Sequence, residues 1–92
     1  MWRSAVDVGV ATHHLVEQLS FSHRIAYGAQ MRRAAVSIGS NIAEGAARHY
    51  PREFVQSLYT SRGSAAELQT QSVILGECGL FTPAQLVDVN DS

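Results

Sequence analysis

Residues 30–45, QMRRAAVSIGSNIAEG, restrict the possible folds of this chain more than any other stretch, because they read as one helix with two chemically different faces. Met31, Ala35, Ile38 and Ile42 follow one another at spacings of 4, 3 and 4. That is the repeat that stacks side chains on one side of an α-helix. Beside this apolar seam runs a polar stripe of Gln30, Arg33, Ser37, Ser40, Asn41 and Glu44. Small residues (Ala34, Gly39, Ala43) lie between the two. Small side chains admit a neighbouring backbone at close range, and a dense polar stripe needs hydrogen-bond partners wherever it is buried. The segment specifies tight helix packing before it specifies any reaction.

A chain of 92 residues makes one domain, 1–92, with a small core that association would help to stabilise. No apolar run approaches the roughly 20 residues of a membrane span. The opening MWRSAVDVGVATHH is interrupted by Asp7 and reads as mature helix, not as a signal peptide. The single cysteine, Cys78, fits a reducing, cytoplasmic setting and supplies no zinc-ligand cluster. The formal net charge of −1 gives no nucleic-acid signal for the chain as a whole. Its distribution is less even: all seven basic residues are arginine, and Arg24, Arg32, Arg33, Arg48, Arg52 and Arg62 fall between positions 24 and 62. Arginine suits bidentate contacts to carboxylate or phosphate. The plainer reading of this excess is intramolecular ion pairing.

Four helices are expected, over about 2–18, 23–44, 51–78 and 83–90. In the first, Met1, Ala5, Val8, Thr12, Leu15 and Leu19 form a near-heptad seam. A short break with capping serines follows at 19–22, and Gly45 is placed to end the second helix as a left-handed cap. The third opens on Pro51, well tolerated in a first turn, and carries the longest seam: Phe54, Leu58, Ser61, Ala65, Leu68, Ser72 and Leu75. Gly79 followed by Leu80 predicts a Schellman stop. Thr82-Pro83-Ala84-Gln85 has the pattern of a capping box, but the helix it opens is short, with Leu86 and Val87 as its contacts to a core. Short connections between long helices imply antiparallel neighbours. The expected fold is an all-α, antiparallel up-down four-helix bundle with a short or truncated fourth helix, which leaves a groove unless another subunit or a partner fills it.

QMRRAAVSIGSNIAEGAAR at 30–48, REFVQSLYTSRGSAAELQTQ at 52–71 and the GLF stop at 79–81 resemble the small bacterial four helix bundle protein family encoded by intervening sequences in 23S ribosomal RNA genes. The accessory variability determinant of diversity-generating retroelements is a related protein. The resemblance implies a ring-like homo-oligomer, a pentamer, with no established enzymatic activity and no cofactor. The retroelement relative looks like a basic, nucleic-acid-binding protein, a property that a near-neutral chain inherits poorly. Three features depart from the family: FSHRIAYGA at 21–29 is compressed, Tyr50 stands where a Ser cap is common, and the fourth helix is short.

Individual residues carry two kinds of expectation. Gln30, Arg33, Ser37, Asn41, Glu44 and Glu67 are read as a structural polar network or interface. Within it, Glu67 is the expected partner of Arg32 or Arg33, which adjoin and so point about 100° apart. Arg24, Arg32, Arg48, Arg52 and Arg62 are the candidate nucleic-acid contacts, acting as a multivalent surface when repeated around a ring. His13, His14, His23 and His49 lack metal-ligand spacing, and the serines read as small seam residues before they read as nucleophiles. No phosphate loop or nucleophile elbow supports catalysis. The sequence thus points to a non-enzymatic, cytoplasmic homo-oligomeric scaffold or adaptor associated with RNA or the ribosome. The alternative is a protein-binding module that takes a partner helix in the groove beside the short fourth helix.

Overall fold

The computed structural model describes residues 1–86, and every regular element in that range is helical. Helix α1 spans Trp2–Glu17. Its last turn tightens, with Gln18 N–H donating to Leu15 O and Leu19 N–H to Val16 O. The break expected at 19–22 is shorter than its serines implied: Ser20 is extended and the chain is helical again from Phe21. Ser20 makes no side-chain cap to the backbone; its Oγ lies 3.1 Å from His23 Nδ1.

The second helix is not uniform. A short α turn, Phe21–His23, leads into a π turn, Arg24–Gly28, and then into α2, Ala29–Ala47. A π turn holds about one residue more than an α turn, so the residues ahead of it are rotated relative to the register of α2. Helix α2 also runs past the expected stop. Gly45 is an interior, buried helical residue, and the left-handed residue that turns the chain is His49, with φ 63°. Gly45 is small for a different reason: Ser57 of α3, Pro51–Glu77, presses against it.

Pro51 opens α3 as expected. Its end is a full Schellman motif: Leu80 N–H donates to Leu75 O at 3.0 Å and Gly79 N–H to Gly76 O at 3.1 Å, with Gly79 at φ 81°. The capping box also forms. Thr82 N–H donates to Gln85 Oε1 at 2.7 Å and Gln85 N–H to Thr82 Oγ1 at 3.2 Å. Residues 83–86 are helical; the expected continuation to 90, with the contact of Val87, lies outside the described residues.

Helix α2 is the middle layer, with α1 and α3 packed on it. Ala5 lies beside Gly39 and Val16 beside Gly28, so numbers fall along α2 as they rise along α1. On the other side Gly45 meets Ser57, Ser61 Oγ donates to Ile38 O at 2.9 Å, and Ser37 shares a 2.9 Å hydrogen bond with Ser64. Numbers again run in opposite senses. The core joins Leu15, Val16 and Leu19 to Met31, Ala34, Ala35, Ile38 and Ile42, then to Leu68, Leu75 and Phe81. Removing a side chain of this size from water is worth about 1.5–3 kcal/mol. Three expected seam residues fall outside it, one of them Phe54, which is half-buried. Met1 is exposed at the chain end, and Ala65 is exposed while Ser64 turns toward α2.

Candidate functional site

The polar stripe of α2 divides between two tasks. Ser37, Asn41 and Ser64 form a half-buried knot: Asn41 Nδ2 donates to Ser37 O at 2.7 Å and to Ser37 Oγ at 2.9 Å, while Ser37 reaches Ser64 across the helix interface. One turn back, Arg33 faces Glu67 at 3.7 Å, an exposed pair that joins α2 to α3. Gln30 is exposed beside a small hollow of about 200 Å³ that it shares with Tyr27, Met31, Gln71, Ile74 and Leu75. Glu44 reaches along its own helix to Arg48 at 2.5 Å and makes no bond to α3. The expected network is therefore interhelical at Ser37 and at the Arg33–Glu67 pair, and local at Glu44.

Arg32 does not reach Glu67. It points to the other side of α2, where its Nη2 lies 2.5 Å from Glu17 of α1. Arg24 approaches the same carboxylate at 3.5 Å, brought there by the π turn. Glu17 thus gathers two of the candidate phosphate contacts, and nothing in the sequence marked it, because the pairing depends on where the π turn points Arg24. Arg48 is held between Glu44 and Glu53, at 2.5 and 4.0 Å. Arg52 and Arg62 have no acidic partner among the described residues.

The five arginines are spread along the length of a single copy. Arg32 and Arg48 are about 24 Å apart along α2, and Arg52 and Arg62 about 15 Å apart along α3, at 1.5 Å per residue. Three of the five already face a carboxylate. Such exposed pairs contribute at most about 1 kcal/mol each and leave the cation open to exchange for another anion.

A second concave feature is apolar. A groove of about 440 Å³ runs between α1 and α2, walled by Trp2, Val6, Val10 and His13 on one helix and Val36 and Ser40 on the other. Its floor is made of Ala5, Gly9, Ala35, Gly39 and Ala43. Arg33, Ser37 and Ile38 of α2 bond to α3, and Val36 and Gly39 lie on another side of the helix. The groove is therefore on the flank of the α1–α2 pair away from α3. Sequence reading passed over it because Gly9 and Val36 belong to no seam. The one sequence signal was the run of small residues Ala35, Gly39 and Ala43 at steps of four.

Among the described residues no group of three His, Cys, Asp or Glu side chains could hold a metal ion, and no helix is long and apolar enough to cross a membrane. Cys78 is a free, exposed thiol.

Fold and surface together define a small all-helical protein with one dense polar interface, an ion-paired exterior and an open apolar groove. The chain belongs to the 23S rRNA-intervening sequence protein family, which matches it over residues 1–92. Among curated proteins none matches it in sequence.

Proposed function

We propose that this protein is a non-enzymatic, cytoplasmic scaffold that acts as a homo-oligomer, a pentameric ring of up-down four-helix bundles, and that it meets RNA through arginines repeated around that ring. The observation that carries the reading is the open apolar groove between α1 and α2, with Trp2, Val10 and Val36 at 52%, 51% and 62% exposure. Exposed apolar surface can mark a protein, membrane or ligand contact, and a second copy is the occupant this reading assigns. The opposed registers of α1, α2 and α3 support the up-down arrangement.

The RNA part of the reading depends on the assembly. One copy brings Arg24 and Arg32 together at Glu17 and leaves the other arginines spread along α2 and α3. A ring would bring the α2–α3 connection of each copy, with Arg48 and Arg52, into a repeated set. Multivalent contact then multiplies weak individual sites, and counterion release makes the binding steep in salt.

Size-exclusion chromatography with light scattering gives the mass, and a five-fold multiple of the chain is expected. Fluorescence anisotropy with a structured ribosomal RNA fragment and an equal length of duplex DNA, at about 50 and 200 mM salt, tests the ligand; affinity is expected to fall by orders of magnitude between the two. The double variant Arg48→Glu, Arg52→Glu should lose RNA binding and keep its mass. A monomeric wild type removes the ring, and an absence of binding at the lower salt removes RNA as a direct ligand.

A further inference from the structure

We infer that the hollow between the π turn and the C-terminal half of α3 is a nucleobase pocket, shaped for an adenine edge, an amino group beside a ring nitrogen. This goes beyond the arginine reading above. It is a base contact made within one copy and needs neither the ring nor any phosphate.

Three observations meet at this place. The first is the backbone. Tyr27 lines the hollow and belongs to the π turn Arg24–Gly28. Single π turns inside α-helices are rare and fall frequently at functional sites. The second is the lining. Met31 and Leu75 are buried core residues, Ile74 is exposed, and Gln30 and Gln71 add two carboxamides. None of the described lining residues is charged, which suits a neutral ring and not a phosphate. The third is an orphaned acceptor. Gln71 Oε1 is shielded from solvent and accepts no hydrogen bond. Buried polar atoms are nearly always paired, so one that is not asks for an explanation. Gln71 Nε2 donates to Glu67 Oε1 at 3.4 Å, which turns the nitrogen of the amide toward Glu67 and leaves the oxygen as the unused group.

A donor that enters the hollow supplies the missing partner. The side chains that yield to it are Tyr27 and Gln30, which are exposed where they line the hollow. The volume of about 200 Å³ is smaller than a drug-sized ligand needs, so the guest is a single ring system. Proteins hold unstacked bases against aromatic rings and read their edges with hydrogen bonds. Carboxamides match adenine in particular, because its amino group donates beside a ring nitrogen that accepts. Here the two roles divide: Gln71 Oε1 takes the amino proton, and the Gln30 amide donates to the ring nitrogen. Such a base arrives either in a free nucleoside or as an unpaired residue of RNA.

Isothermal titration calorimetry of the full chain with adenosine, and with purine riboside, which lacks the amino group, tests the assignment. Adenosine should bind saturably, with the same affinity at about 50 and 200 mM salt because it is uncharged. Purine riboside should bind at least about tenfold more weakly. Gln71→Leu should lose adenosine to a similar degree while its thermal midpoint does not fall, since the unpaired oxygen leaves with the side chain. Tyr27→Leu is the second variant and should also weaken adenosine. An absence of saturable adenosine binding, equal affinity for the two nucleosides, or unchanged binding by Gln71→Leu overturns the pocket. The salt-independence separates this result from the arginine reading, which stands or falls on salt-steep binding. An RNA hairpin with one bulged adenosine, compared with the same hairpin fully paired, then identifies the source. Tighter binding of the bulged form supports the pocket as an RNA contact, and equal binding supports it as a site for the free nucleoside.

Discussion

Gly45 of α2 and Ser57 of α3 approach so closely that a Cβ added at Gly45 would lie 2.6 Å from both Cβ and Oγ of Ser57, and 3.4 Å from Cα of Phe54. The helices meet here almost backbone to backbone, just before the chain reverses at His49. Gly28 plays the same part at the far end of the second helix, where an added Cβ would lie 2.7 Å from Cγ1 of Val16. Two glycines, one against each neighbour, therefore set how near α1 and α3 can come to the helix between them.

Gly45→Ala should destabilise the fold by about 1–3 kcal/mol, the usual cost of overpacking a close contact. Gly63→Ala is the control, since its Cβ would meet nothing within 4 Å. A monomer should gain about 0.5–1 kcal/mol there from better helix propensity. Urea denaturation of the two variants beside the wild type checks the contrast. Equal effects at both sites would show that the 2.6 Å approach does not limit packing.

Ser61 and Ser72 are both buried hydroxyls on α3, but they bond differently. Ser61 Oγ donates across the interface to Ile38 O at 2.9 Å; Ser72 Oγ returns to Leu68 O of its own helix, also at 2.9 Å. Ser61→Ala should therefore cost about 1 kcal/mol, the net worth of one hydrogen bond. Ser72→Ala should be nearly neutral, because Leu68 O keeps its helical partner. Chemical denaturation of both variants decides it, and a larger loss at Ser72 would contradict the account.

Gly79 sits at φ 81°, where a side chain is strained. Gly79→Ala should lower stability by about 1 kcal/mol and Gly79→Asn by less, because asparagine tolerates the left-handed region. Thermal melts followed by circular dichroism would report the order. A neutral alanine variant would mean that the Schellman turn relaxes without loss.

Glu17 holds Arg32 at 2.5 Å and Arg24 at 3.5 Å, with all three side chains at least a third exposed. Glu17→Ala should cost about 0.5–1 kcal/mol at low ionic strength, and the deficit should shrink as salt is added. Denaturation midpoints at two salt concentrations measure this. A salt-independent loss would assign the effect to packing of α1 and not to charge.

Much of the fold was legible in residues whose signals are local. The seam Met31, Ala35, Ile38 and Ile42 is buried as its spacing required, and Pro51, Gly79–Leu80 and Thr82–Gln85 start or stop helices as their backbone chemistry dictates. The local argument failed at Gly45. The sequence alone does not distinguish a glycine that ends a helix from one that admits a neighbour, because both uses exploit the missing Cβ. It failed at 21–28 for a related reason. A π turn has no composition of its own, and here the rotation it introduces is what sets Arg24 against Glu17.

The candidate site divided along the same line. Ser37 with Asn41, and Arg33 with Glu67, were recognisable from spacing on one helix and the matching element on another. The groove was not, since Trp2, Gly9, Val36 and Ala43 come together only when α1 lies along α2. By itself the sequence determined that the chain is helical, where most helices begin and end, and which stripe of each is buried, because periodicity and capping are properties of neighbouring residues. The tertiary structure decided which arginine meets which acid and which apolar side chains remain uncovered, because both depend on helix rotation and register across an interface.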